Sequence, residues 1–101
     1  MNNYTVKEVL YIIRHKSDLL DRASITGNFD LVDIVADAEY IINHCGLTAR
    51  QMQIFKMYYV HDFTLAMIGA ELGTSHQAPS DALAQCKKKI EKFLKEEINI
   101  D

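Results

Sequence analysis

The chain has few residues that break helices or make turns: one proline and four glycines among 101 residues. No stretch alternates polar and β-branched residues, so an all-α fold is expected. No apolar run approaches the roughly 20 residues that a membrane span needs. Met1-Asn2-Asn3-Tyr4 also lacks the basic-then-apolar layout of a secretory leader. A cytoplasmic protein without membrane association is therefore expected. Cysteine is scarce as well. Cys45 and Cys86 make no disulfide framework, and their places on apolar helical faces fit small buried thiols in a reducing compartment. His44-Cys45 has no partner pair at ligand spacing, so no metal site is expected. The four histidines, His15, His44, His61 and His76, are scattered. No paired carboxylates, nucleophile elbow or glycine-rich phosphate loop accompanies them. Neither enzymatic activity nor a cofactor is expected.

The chain also has no excess of positive charge. Its net charge is −3, unhelpful for binding nucleic acid until it is resolved along the chain. Residues 1–47 carry Lys7, Arg14, Lys16 and Arg22 against seven acidic residues, a net of −3. Residues 48–101 balance seven basic against seven acidic groups, but Lys87, Lys88, Lys89, Lys92 and Lys95 gather on one stretch. Such a run is most often a solvated helix face. With 49% apolar and 25% charged residues, the composition is that of a folded globular protein of one compact unit, not a disordered one.

Five helices follow from the periodicity. The first starts at Thr5 or Val6 and places Val6, Val9, Leu10, Ile13, Leu19 and Leu20 on one stripe. It stops in the loop Ser24-Ile25-Thr26-Gly27-Asn28. The second runs from about Asp30 with Leu31, Ile34, Val35, Ala38, Ile41 and Ile42 inward, and Asp33, Asp37 and Glu39 on an acidic outer face. Cys45-Gly46 closes it. The third opens with a capping box, Thr48 bonding forward to the Gln51 amide and Gln51 reaching back, with Leu47 and Met52 as a hydrophobic staple. It runs through Ile54, Phe55, Tyr58 and Tyr59 to Val60, and His61-Asp62-Phe63 leads onward. Residues 1–46 thus form a helical pair suited to packing or dimerisation, and residues 47–101 a second unit.

The stretch from Thr64 to Leu83 has the plan of a helix-turn-helix. Thr64 can cap a short helix bearing Leu65, Ile68 and Leu72 on one face. Gly73 follows the last apolar position, where a left-handed residue ends a helix. Gly69, one turn earlier, leaves room for the second helix to approach. Ser75 can cap that second helix, whose inward face is Pro79, Ala82 or Leu83, and Cys86. It continues as a long helix through Ile90, Phe93 and Leu94. An ordinary helical hairpin satisfies the same pattern.

Several of these residues, taken together, resemble region 4 of sigma-70-type factors and related phage regulators between Leu47 and Leu94. They are Leu47-Thr48-Ala49-Arg50-Gln51, Ile54-Phe55, Tyr58-Tyr59, Phe63-Thr64-Leu65, Ile68-Gly69, Glu71-Leu72-Gly73, Ser75, Leu83 and Lys87-Lys88-Lys89-Ile90. The acidic-apolar segment Asn28-Phe29-Asp30-Leu31-Val32-Asp33 resembles what precedes the motif in small phage-encoded members. The resemblance implies a DNA-binding transcription regulator of phage or prophage type, reading the major groove with the helix after Gly73. His76, Gln77, Ser80 and Asp81 would face the bases. Arg50, Thr64, Lys87 and Lys88 would grip phosphates. Double-stranded promoter or operator DNA is the implied partner, bound by a homodimer whose interface comes from the N-terminal helices. The alternative is a sigma-like adaptor docking on RNA polymerase or another host protein through Asp33, Asp37 and Glu39, or through the surface near Tyr58 and Phe63. The chain departs from the family in two places. Its reading face carries Asp81 and no arginine or lysine. Pro79 also stands where family members have a β-branched residue, a position suited to proline only if it falls early in the helix.

Overall fold

The computed structural model describes residues 4–99, with side chains through Glu96. Met1, Asn2 and Asn3, read above for a leader, lie outside the described residues. Six helices, and no strand among the described residues, run in the order α1 (Val6–Arg14), α2 (Lys16–Thr26), α3 (Asp30–His44), α4 (Ala49–Tyr59), α5 (Leu65–Leu72) and α6 (Gln77–Asn99). Expected as one helix, the first segment is two. The kink falls at His15, whose φ of −105° and ψ of 19° leave the helical region. Hydrogen bonds from both helices meet on this residue, His15 N to Tyr11 O and Leu19 N to His15 O. The cause lies in the apolar phase. Val9, Ile12 and Ile13 are buried in α1, and an unbroken helix would next turn Lys16 and Ser17 inward. Bending at His15 instead brings Ala23 of α2 into burial and lets Lys16 pair with Glu39 of α3 at 3.1 Å. Leu20, expected inside, is therefore exposed, and Ile12, absent from the expected stripe, is buried.

Side-chain caps set the starts of three helices, α1, α4 and α5. Thr5 and Glu8 form a reciprocal capping box at α1, a T-x-x-E signal present in the sequence. Thr48 and Gln51 form the expected one at α4, and Thr64 accepts from the Met67 amide at α5. Each such cap contributes about 1 kcal/mol.

One core joins the helices. Val9 (α1), Ile41 (α3), Phe55 (α4), Ile68 (α5) and Ile90 (α6) are all at most 1% exposed and belong to a single cluster. At roughly 1.5–3 kcal/mol for each large apolar side chain removed from water, this cluster ties the motif to the N-terminal helices. α2 adds least to the core: Ala23 is its one buried residue among those described, and Leu19 packs against the cluster from its edge.

Candidate nucleic-acid interface

The motif is built by glycine at two positions, for different reasons. Gly73 adopts φ 72° and ends α5. The Thr74 amide reaches back to Gly69 O at 2.8 Å and the Gly73 amide to Ala70 O at 3.4 Å, the paired bonds of a Schellman ending. Gly69 is helical, but a Cβ there would lie 2.8 Å from Thr74 O and 3.0 Å from Ser75 O. Gly69 thus makes room for the carbonyls of the turn rather than for the second helix. Without a side chain at 69, the chain can fold sharply back and aim α6 across α5.

Ser75 does not cap α6, which begins two residues later at Gln77. Pro79 is therefore the third helical residue. Its missing amide is one of the four that have no partner within a helix anyway, so proline costs nothing there. Its ring is also among the most deeply buried side chains. Leu83 and Cys86 continue that inward face at 6% and 1% exposure, while Ala82 is half-buried.

The opposite face carries the base-facing candidates. His76, just before α6, and Gln77 and Asp81 in its opening turns are exposed, and Ser80 is half-buried. Gln77 Nε2 donates to Asp81 Oδ1 at 2.9 Å. This bond holds the Gln77 amide outward and leaves its carbonyl oxygen and second N–H available. Lys87 and Lys88 lie further along the same helix and are exposed. Helical spacing puts Gln77, Asp81, Ala84 and Lys88 on one line. Ser80 and Lys87 share a shallow hollow of about 250 Å³ with Tyr58 and Tyr59.

The remaining phosphate candidates are more dispersed. Thr64 lies at the amide end of α5 and borders an opening of about 500 Å³ that also includes Leu65, Ala66 and His76. Arg50 is exposed on the first turn of α4. Its neighbour Gln51 is tied to Lys89, twelve residues along α6 from Gln77, or roughly 18 Å of helix. Arg50 is thus separated from the base-facing cluster. Lys89 itself folds back, donating to Gly46 O at 3.0 Å and Gln51 Oε1 at 2.6 Å. Of the Lys87-Lys88-Lys89 run, one member is thus a structural clamp.

One cation on this face was not anticipated. Arg14 of α1 lines the same opening as Thr64 and His76. Its guanidinium lies 5.0 Å from the Tyr58 ring centre and 4.8 Å from that of Tyr59, and it pairs with Asp62 at 3.1 Å. Asp62 has φ 58°, a conformation rare outside glycine but tolerated by aspartate. Nothing in the sequence signals an approach across 48 residues. Nearby, burial raises the Tyr59 phenol above its ordinary value, with Tyr58 adding to the effect and Arg14 opposing it. Burial also pushes the Cys86 thiol, under the motif, up to about 11. It raises the Cys45 thiol too, against the pull of neighbouring backbone amides and Lys89.

Among the described residues, no group of three or more His, Cys, Asp or Glu side chains could hold a metal ion. No helix among them is long and apolar enough to cross a membrane.

A short helix closed by a left-handed glycine, a tight turn, and a second helix with an inward apolar face and an outward polar one define a helix-turn-helix protein. The chain belongs to the UPF0122 family, described as "Putative helix-turn-helix protein, YlxM / p13 like", whose model matches residues 38–98. Among curated proteins it is similar to UPF0122 proteins of Streptococcus gordonii and of Streptococcus pneumoniae strain Hungary19A-6. Each is 38% identical over 47 residues, 46% of this chain and 43% of the relative. The match thus spans less than half the length of these relatives. No solved structure matches the chain.

Proposed function

We propose that the protein is a sequence-specific DNA-binding transcriptional regulator, of the sigma region 4-like phage or prophage type, acting in the cytoplasm. In this reading α6 enters the major groove and no catalysis is involved. The observation that carries it is the Gln77–Asp81 hydrogen bond on the exposed opening turns of α6. An amide held outward with one acceptor and one free N–H matches the N6 and N7 edge of adenine. The same bond gives the acidic residue of the reading face a hydrogen-bond partner within the protein. Lys87 and Lys88 follow on the same face, where they can grip backbone phosphates.

The net charge makes a single copy a weak binder, so the regulator is read as a homodimer on two half-sites. An apolar groove of about 630 Å³ between α1, α2 and α3, lined by Tyr11, Ile12, Leu19, Leu31 and Ile34, suits such an interface. The adaptor reading has the same groove in its favour, with a polymerase surface as occupant. The acidic face first considered for it is partly engaged, since Asp37 accepts from Tyr4 at 2.9 Å and Glu39 pairs with Lys16.

Selection from a randomised duplex pool, followed by anisotropy titration of the enriched sequence, tests the reading. A consensus with adenine opposite Gln77, lost in Gln77→Ala and relaxed in Ser80→Ala, is expected. No enrichment at low salt, together with a polymerase subunit recovered after nuclease treatment, would favour the adaptor.

A further inference from the structure

We propose that Arg14 is a DNA-phosphate ligand contributed by α1 to the motif face, held ready by Asp62. The inference rests on the DNA reading above and extends it to a helix outside the helix-turn-helix. Arg14 borders the opening between Thr64, Ala66 and His76, so its guanidinium stands where a strand beside the opening turns of α6 would pass. The Tyr58 and Tyr59 rings, 5.0 and 4.8 Å from its centre, fix the end of a long side chain. The two rings stand at 81° to each other, so the guanidinium meets them as a cation and lies flat on at most one. Of the five donors a guanidinium carries, one reaches Asp62 Oδ1 at 3.1 Å.

The Asp62 side chain is 75% exposed, against 33% for Arg14, so the carboxylate is the outer member of the pair. A carboxylate and a phosphate offer arginine equivalent oxygen geometry. Such an exposed pair contributes little to folding. In the free protein Asp62 keeps the guanidinium aimed outward. On DNA a phosphate oxygen takes the carboxylate's place, and the Asp62 charge then opposes binding.

The two partners should therefore have opposite effects. Duplex anisotropy titrations across a salt series would compare the full chain with Arg14→Gln, Arg14→Lys, Asp62→Asn and Lys88→Ala, with thermal melts alongside. Arg14→Gln is expected to weaken binding about tenfold and to reduce the salt slope by about one, as for one lost phosphate contact. Arg14→Lys should recover part of the loss. Asp62→Asn, which keeps the side chain's shape, should tighten binding about two- to fivefold by removing a repelling charge. Lys88→Ala reports on the underlying reading. If it weakens binding while Arg14→Gln does not, Arg14 is structural and the inference fails alone. If Asp62→Asn weakens binding in step with Arg14→Gln, the pair is a packing device and the inference again fails. If the unmodified chain binds no duplex at low salt, the DNA reading falls and the inference falls with it.

Discussion

Two turns in this molecule end their helices in the same way and are used differently. Gly27 closes α2 with φ 71° and Gly73 closes α5 with φ 72°. Around Gly73 the chain is pressed against itself, with the carbonyls of Thr74 and Ser75 filling the space beside Gly69. Around Gly27 the flanking side chains have little to pack on, and Ile25 is 84% and Phe29 74% exposed. A left-handed glycine therefore marks where a helix stops and says nothing about what the next one packs against. That is decided one turn earlier, where the second turn has Gly69 with no Cβ and the first has Ala23.

Substitutions can break or sharpen this contrast. The largest effect is expected where the two halves meet. Phe55→Ala should cost about 3–5 kcal/mol through the cavity it leaves. Because Phe55 shares one cluster with Val9, Ile41 and Ile90, the loss should appear as one lowered cooperative transition in a thermal melt. Two separated transitions would mean that the halves fold independently.

Next comes the buried thiol beneath the motif. The Cys86 pKa is raised from its ordinary 9.0 to about 11, so the folded state holds a proton that the unfolded state loses. Stability from this source is complete below pH about 9 and falls as pH rises towards about 11. At about 1.4 kcal/mol per unit, up to about 2–3 kcal/mol is at stake. Cys86→Ala should flatten that alkaline loss in denaturant titrations at pH 8 and 10.5, and Cys86 should react with a thiol reagent only on unfolding.

Gly69→Ala is expected to cost about 2 kcal/mol, the clash with the turn outweighing alanine's better helix propensity. Gly27→Ala has open space and only the positive φ to pay for, about 1 kcal/mol. Equal costs at the two sites would remove the distinction drawn between the turns. Smallest of all, Phe29→Ser should alter stability by less than about 0.5 kcal/mol. In light scattering it should lower the mass if the exposed face of α2 and α3 joins two copies.

The signals legible in the sequence were those acting within about one helical turn. Thr48 with Gln51, Thr64 with Met67, and Gly73 after Leu72 each place a donor, an acceptor or a left-handed residue at fixed spacing, and all three form as read. Ser75 misled because two residues between the turn and α6 are enough to make a serine at the end of the turn look like a cap. The kink at His15 carries no proline or glycine and arises from the burial phase on either side. What could not be read were partnerships across the chain: Arg14 with Asp62, Lys89 with Gln51 and Gly46, and Tyr4 with Asp37. Each depends on how whole helices dock, which short-range spacing does not encode. The base-facing residues were legible as positions on a helix. The bond between Gln77 and Asp81 was legible only as spacing.

The account rests on the outward face of α6 meeting DNA. An amide-resolved NMR titration of the labelled protein with a duplex selected for binding, at low salt, tests this most directly. The account predicts shifts concentrated at Thr64–Ala66, His76–Asp81 and Lys87–Lys88, with Arg14 among them. Shifts confined to α2 and α3, or none at any of these positions, would contradict it.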